Sequence, residues 1–587
     1  MDSRTVAHVL EQIADLLELH GENRFKTNAY RNAARAVLQL DSDDVGALYR
    51  SGALAELKGL GPATLSVIGE LAETGESRYY EQLRRDTPDG LLEMLRIPGL
   101  GTSKIHQVHE GLGVTTVDEL EEAARDGRLA ALPRFGAKTA EKILRGIAYQ
   151  RENSAFVLYP QALDEARRLL ASISQHPDVE RAVVAGSVRR RREVVRDIDI
   201  VAACRTDPAA VAASFAKAPG VREAVGTGKR SISLRYVDGT QLDLHCVSPA
   251  QFGMALWRAT GSTEHEREIR ARAEMLGIAL GEDDVREGGT DLSIPDEAAL
   301  YDALGLAYIE PELREGLGEV AAAAEHTLPR LVSMHDIRGV LHCHSQYSDG
   351  KATIAEMAAA AEAHGWSYLG ISDHSQFAAY AGGLSRERVL AQHEEIDRVN
   401  HEMENIRLLK GVEADILPDG RIDYEPELLD RFDYVIASVH SQFGMEPRQM
   451  TERVLRALDD PHVTVLGHPT GRLLLAREPY AIDMDAVLEK AASVGVAVEL
   501  NADPRRLDLD WRRCRQATSL GITIEIGPDA HSPRGLDNME FGVGIARKGW
   551  LEAGDVLNTQ DADEIIERAA RRRGGHTTRK RGRRQGK

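Results

Sequence analysis

The chain has 587 residues, of which 42% are hydrophobic and 28% charged, and a formal charge of −20. That length calls for several domains, and that composition for packed globular ones rather than disorder. No apolar run reaches the roughly 20 residues a membrane helix needs. The acidic, amphipathic start "MDSRTVAHVLEQIADLLEL" is unlike a signal peptide, and four scattered cysteines form no CxxC pair. A cytoplasmic chain with reduced thiols and no membrane role is expected.

Residues 1–150 have helical periodicity broken by three similar turns, "LKGLGPATLS", "IPGLGTSKIHQ" and "LPRFGAKTAEKI". Each is an apolar residue, a tight glycine turn and a helix start, which exposes backbone N–H groups where a phosphate oxygen can bind without sequence reading. They resemble helix-hairpin-helix clamps on the DNA backbone, with Gly59, Gly61, Gly99, Gly101, Lys104, Gly136 and Lys138 as the candidate contacts. Two helical domains are expected, 1–85 and 86–150. The other basic feature is "RRRGGHTTRKRGRRQGK" (571–587), nine basic residues and no acidic one, which reads either as a disordered solvated tail or as a counterion-releasing arm that raises non-specific affinity for nucleic acid.

From 151 the period changes. "RAVVAGSVRR", "DIDIVAAC", "SISLRYVDG" and "QLDLHCVS" read as short strands of an α+β domain to about 250. A mixed domain over 251–312 and a helical linker over 313–335 follow. Alternate residues of a strand share a face, so Asp197 and Asp199 can converge, and Asp243 offers a third carboxylate. Three carboxylates in one cleft repel unless divalent cations neutralise them. Oxygen-only donors suit two Mg²⁺ or Mn²⁺ ions and phosphoryl transfer.

From 336 to 570 seven apolar runs alternate with helical segments, and most runs end in a metal-ligand residue type. This rhythm predicts a seven-stranded (β/α)7 relative of the parallel barrel, with its site at the strand carboxyl ends. His342 and His344 alternate on the first strand, with Asp349 on the loop; His374, Glu413, His440, His468, Asp529 and His531 follow at later strand ends. Six imidazoles and three carboxylates without a thiolate favour Zn²⁺, Mn²⁺ or Fe²⁺ over Mg²⁺ or Ca²⁺. Up to three such ions would leave excess positive charge suited to a phosphate ester.

The stretch "AGSVRRRREVVRDID", together with "GENRFKTNAYRNAAR" (21–35), resembles family X DNA polymerases of the polymerase β nucleotidyltransferase type over 1–310. The resemblance implies palm and thumb domains. Asp197 and Asp199 would bind both ions and Asp243 the catalytic one, where it could accept the primer proton. Gly186, Ser187 and Arg190 would hold the triphosphate. Three departures stand out. Where lyase-competent relatives carry a Schiff-base lysine this chain has Val67, with Lys58 a poorly placed substitute, so little deoxyribose-phosphate lyase activity is expected. Arg258 and Ala259, just before Gly261, replace the Tyr-Phe pair at the nucleotide sugar. Weak discrimination against ribonucleotides is expected from that loss. Glu266 replaces an asparagine near the base, where a carboxylate would repel the triphosphate, so slow or Mn²⁺-dependent synthesis is expected.

Residues 336–560 closely resemble the polymerase and histidinol phosphatase (PHP) domain. By that resemblance His342, His344, Glu413 and Asp529 hold one metal, Glu413 bridges to a second held by His440 and His468, and Asp349, His374 and His531 hold the third, with Zn²⁺ or Mn²⁺ expected. Asp373, Asn501 and Arg472 are supporting candidates, Arg472 toward a phosphate. The combination is that of bacterial family X polymerases. It implies a nucleoid-associated repair enzyme on gapped or primer-template DNA, with deoxynucleoside triphosphates as substrates and a second domain that acts as a 3′→5′ exonuclease or cleans blocked 3′ ends; with all parts in one chain, a monomer suffices. A nuclease whose polymerase half merely holds DNA, and a small-molecule phosphatase, are the alternatives.

Overall fold

The computed structural model describes residues 3–38, 40, 45–57, 59–95, 97, 99–218, 220–226, 231–236, 239–281 and 284–574. Lys58 and the basic stretch 575–587 lie outside the described residues. The chain divides into two units, 1–155 and 156 onward.

The first unit is helical and has two apolar cores. One gathers Leu10, Ile13, Leu17, Tyr30, Val37, Val67 and Ile68; the other gathers Met94, Ile105, Val108, Leu120, Ile143 and Ile147. All three glycine turns precede a helix: Gly61 caps Pro62–Thr74, Gly101 caps Thr102–Leu112 and Gly136 caps Ala137–Asn153. Gly59, Gly99 and Gly136 have φ of +106°, +81° and +59°, backbone that side chains rarely adopt. An added Cβ at Gly61, Gly101 or Gly136 would meet nothing, so the capping backbone stands open. Val67 is buried in the first core and helix Pro62–Thr74 has no lysine.

The second unit begins with a five-stranded mixed sheet in the spatial order Val179–Val184, Ile198–Cys204, Gln241–Val247, Ser231–Tyr236, Val221–Gly226. The last of these is a mostly exposed edge strand without alternation, which the periodicity did not reveal. Helices Phe252–Thr260 and Thr263–Met275, a three-stranded antiparallel sheet and helix Glu297–Ala303 follow around a core of Trp257, Ile269, Leu300 and Tyr301. The expected linker helix is only Glu319–Ala324. It stops where His326 turns to φ +57° and Leu328 precedes a proline, a position that disfavours helix.

Glu297 is buried between two arginines. Arg189 donates to its two oxygens at 2.9 and 2.5 Å, and fully buried Arg314 donates to Oε1. Burial opposes the Glu297 charge, yet these partners win and hold its pKa below the usual carboxylate value of 4.5. Its stabilising contribution is therefore complete above about pH 4.5 and lost as pH falls through the folded value. Glu297→Ala should cost about 3–5 kcal/mol by stranding buried guanidinium charge. A lower midpoint in the thermal melt checks this, and an unchanged one would show that the arginines find other partners.

Seven parallel strands then run in strict sequence order: Gly339–Val340, Tyr368–Ile371, Arg407–Asp415, Tyr434–Ser438, Val465–Leu466, Ala497–Asn501 and Ile524–Gly527. A parallel bridge between Cys343 and Ala530 links the first run to the last. Period-2 alternation sorts each strand. Leu408, Val412, Val435, Ala437, Val498, Leu500, Ile524 and Ile526 join the large outer core with the surrounding helices. On the other face Leu341, Tyr368, Leu409, Tyr434, Ile436, Val465 and Ala497 form an apolar plug with Leu557 and Ile565. Gly370 and Gly411 leave the room that the Tyr434 ring fills. Apolar residues thus close one end of that face, and charged residues follow along the same strands toward their carboxyl ends.

Two expectations change here. The first strand ends at Val340, so His342 and His344 sit on its extended continuation, where only the single Cys343–Ala530 bridge persists at the rim. The expected disordered tail begins too early: helix Ala562–Arg572 continues through its first residues. Arg572 NH2 donates to the Leu458 and Asp460 carbonyls at 3.2 and 2.8 Å, and Arg573 NH2 to the Phe432 carbonyl at 2.9 Å.

Candidate active sites

Asp199 lies directly opposite Asp243 in the parallel register between Ile198–Cys204 and Gln241–Val247. Asp197 precedes that strand, and Arg196 Nε donates to it at 3.1 Å. Burial raises the pKa of Asp199; His245 opposes this, while the charges of Asp197 and Asp243 add to it. Ser233 Oγ donates to Asp243 from the neighbouring strand. Gly186, at φ +60°, lies against the Asp199 carboxylate so closely that any Cβ there would collide with it. The Ser187 hydroxyl beside it is buried without a partner, as a group awaiting an anionic oxygen would be. Three crowded carboxylates fit hard divalent cations.

Arg190 turns toward the adjoining domain. Its Nε donates to Glu315 at 3.0 Å and its NH1 to the Thr260 and Gly261 carbonyls at 2.6 and 3.2 Å. Glu315 also accepts from Arg192 and from fully buried Lys548. Glu266 is not a bare charge. Arg270 donates to it at 2.6 and 2.9 Å, and Arg258, which donates to the Gly281 carbonyl, stands 4.0 Å away. The repulsion expected of Glu266 toward a triphosphate is correspondingly offset.

The second site centres on Glu413, buried in strand Arg407–Asp415. Its Oε1 faces His440 Nε2 at 3.1 Å and His468 Nε2 at 2.9 Å. Its Oε2 faces His374 Nδ1, His342 Nε2 and His344 Nε2 at 3.0, 3.4 and 3.7 Å. Asp529 Oδ1 faces the same two nitrogens of His344 and His342 at 3.4 and 3.7 Å. Asp349 Oδ1 lies 3.3 Å from His531 Nε2 and 3.7 Å from His374 Nε2. All nine sequence-selected side chains therefore meet in one cluster. Asp529 holds φ +50°, a left-handed backbone costly for a non-glycine residue and often found at functional sites.

Electrostatics separate the imidazoles. Burial, then His531 and His374, pushes His344 down to about 3; burial and then Arg506 do the same to His468. Burial opposes charge on His440, yet Glu413 and Asp415 lift it to about 10. Glu413 is itself held well below its ordinary value, burial being outweighed by His440, His342 and His374. His342 Nε2, His344 Nε2 and His374 Nδ1, buried nitrogens that face Glu413, have no hydrogen-bond partner. Orphaned imidazole nitrogens facing carboxylates are what a polynuclear cation site requires, so the residues fit one.

Four neighbours complete the site, none of which the strand-end pattern singled out. Glu499 accepts from His342 Nδ1 at 2.5 Å, which fixes the tautomer and turns Nε2 toward Glu413, and it also accepts from the His468 backbone. Its sequence signal was a charge in the apolar strand "VAVELNA". Glu499→Gln should lower Zn²⁺ or Mn²⁺ affinity about 10- to 100-fold in a chelator titration; unchanged affinity would mean that the His342 orientation does not matter. Glu525, paired with Glu499 in register, is pushed up to about 8 by burial and by Glu499. Asp415 lies 3.4 Å from His440 Nδ1. Arg506 Nε stands 3.4 Å from Asp529 Oδ2. The arginine at the centre is thus Arg506. Arg472 is held by Asp510 and by the Arg506 and Leu507 carbonyls, because its loop folds back on the 506–510 turn. Asn501 donates to Asp529 at 3.1 Å, while Asp373 ties Ser345, Ser348 and Gln392 together beneath the Asp349 loop.

An acidic triad on a mixed sheet and a histidine–carboxylate cluster at strand ends define a two-centre, metal-dependent phosphoryl-transfer class. Family comparisons resolve it further. Residues 255–315 match the DNA polymerase beta thumb, 341–503 the PHP domain, 1–77 a helix-hairpin-helix domain and 91–148 a SAM-like helix-hairpin-helix tandem. The chain is 38% identical over 570 residues to the DNA polymerase/3′-5′ exonuclease PolX of Bacillus subtilis (strain 168), covering 96% of this chain and 99% of that protein. A probable phosphatase of Acetivibrio thermocellus is 27% identical over 235 residues, 38% of this chain and 91% of that protein. One of Caldanaerobacter subterraneus is 32% identical over 147 residues, 23% of this chain and 54% of that protein. The chain belongs to the bacterial PolX family, family X DNA polymerases that carry a PHP domain.

Proposed function

We infer that this chain is a DNA-directed DNA polymerase that fills short gaps during repair, and that its PHP domain trims the same primer as a 3′→5′ exonuclease. The observation that carries the reading is one chain with two separate charge clusters, the Asp197, Asp199 and Asp243 triad and the Glu413-centred cluster. Each is suited to phosphoryl transfer. The described helices contain none long and apolar enough to cross a membrane, and a cytoplasmic, nucleoid-associated monomer suffices.

Asp197, Asp199 and Asp243 would hold two Mg²⁺ or Mn²⁺ ions, and the nine PHP residues up to three Zn²⁺ or Mn²⁺. Bound, such ions neutralise developing phosphate charge and make water a nucleophile near neutral pH. In the polymerase half, Asp243 would accept the primer hydroxyl proton; the Ser233 hydroxyl donates to its carboxylate. Gly186 and Ser187 would cradle triphosphate oxygens. Arg190 would join them from its position braced by Glu315. In the PHP half, Glu499 would orient His342, Asp415 stands beside His440, and Arg506 would face the phosphodiester beside Asp529. The open backbone at Gly61, Gly101 and Gly136 would grip the DNA backbone, with Lys104 and Lys138 adding charge.

The test is a 5′-labelled primer beside a one-nucleotide gap, with or without the four deoxynucleotides, in Mg²⁺ or Mn²⁺. Lengthening with nucleotides and shortening without them is expected. No lengthening in either metal would leave the first half a DNA-holding module.

A further inference from the structure

One feature of the PHP face is not accounted for by cation binding. Between strand Tyr368–Ile371 and helix Arg386–Glu402, the loop that includes the short turn Ala379–Ala381 presents Phe377 and Tyr380 to solvent, 47% and 71% exposed. The Tyr380 ring lies 6.3 Å from the His374 ring and 6.4 Å from the His440 ring, both members of the Glu413 cluster. Exposing two large apolar rings forgoes burial that would stabilise the fold. A pliable loop could fold them inward, but this one is pinned. The Phe377 N–H donates to Asp423 at 2.7 Å, Arg388 donates to the Gly382 carbonyl at 2.9 Å, and Ser375 bridges to Leu384. Gly383 admits no Cβ, because the Ser375 carbonyl occupies its place. The loop is thus a fixed mount that holds an aromatic face at the edge of the site.

We propose that Tyr380, on the loop that also exposes Phe377, is a stacking platform for the 3′-terminal nucleobase of the strand being trimmed. The proposal rests on the exonuclease reading above and names the feature of the substrate that the site grips. A phosphodiester within reach of the Glu413 cluster brings its own nucleoside along, and a base freed from pairing needs a π-face. Stacking on an aromatic side chain tolerates any base, as an exonuclease requires. A paired terminus keeps its base in the duplex stack and cannot use the platform, so frayed or mispaired ends are favoured.

The test compares two single-stranded substrates, one ending in a normal nucleotide and one in an abasic residue, cleaved by the full chain in Mn²⁺. The intact protein should prefer the base-bearing end by about tenfold in kcat/KM, within the range that one stacked base contributes. Tyr380→Ala should collapse that ratio toward one, chiefly by raising KM for the base-bearing end. Tyr380→Phe, which keeps the ring, should retain it. An unchanged ratio in Tyr380→Ala, including a parallel fall on both substrates, would overturn the proposal. If the intact protein cuts neither substrate, the exonuclease reading fails first and the platform falls with it.

Discussion

Glu413→Ala should abolish primer shortening, lowering it about a thousandfold or more, and should leave lengthening on the gapped substrate intact or increased. Glu413 is the one carboxylate in contact with five of the six clustered imidazoles, at 2.9 to 3.7 Å. Removing it would take away a ligand that neighbouring cations would share, and leaves the histidines facing one another without a carboxylate between them. A cation's charge is worth several kcal/mol at the transition state, and each 1.36 kcal/mol is tenfold in rate. Because the variant cannot trim, any synthesis by the first half becomes visible on the labelled primer. Persistent shortening in Glu413→Ala would place the nuclease outside this cluster.

Asp199→Asn should do the reverse: a loss of lengthening of similar size, with shortening retained. Asp199 sits where three constraints meet, opposite Asp243 in register, against Gly186, and close enough to Asp197 and Asp243 for their charges to raise its pKa. Asparagine keeps the shape and removes one negative charge. Loss of activity in this variant therefore reports on charge for cation binding rather than on packing. The two variants together ask whether the centres are separable. If Asp199→Asn also lost shortening, the two reactions would share a residue, contrary to their separate charge clusters.

The legible part of this protein is the part with local periodicity. The parallel strand order could be read because apolar runs of strand length alternated with helical segments, and a strand-end position places a residue on the same rim wherever it occurs. The three glycine turns were legible for a similar reason: a positive φ before a helix start calls for glycine in any context. The edge strand Val221–Gly226 was not, since it is mostly exposed and carries no alternation.

Residue type and spacing by themselves determined the seven parallel strands, the acidic triad and the nine ligand-type side chains. Each is written in a short window of chain, where backbone period fixes which way a side chain leaves. Only the tertiary structure decided which polar groups stand behind that set. His342 meets Glu499 across 157 residues, and Arg506 rather than Arg472 reaches Asp529. Tyr380 stands beside His374 and His440, and Glu266 is matched by Arg270. Those pairings are set by how loops from different strands turn back over a common rim, and the spacing within one segment carries no record of the distance to another.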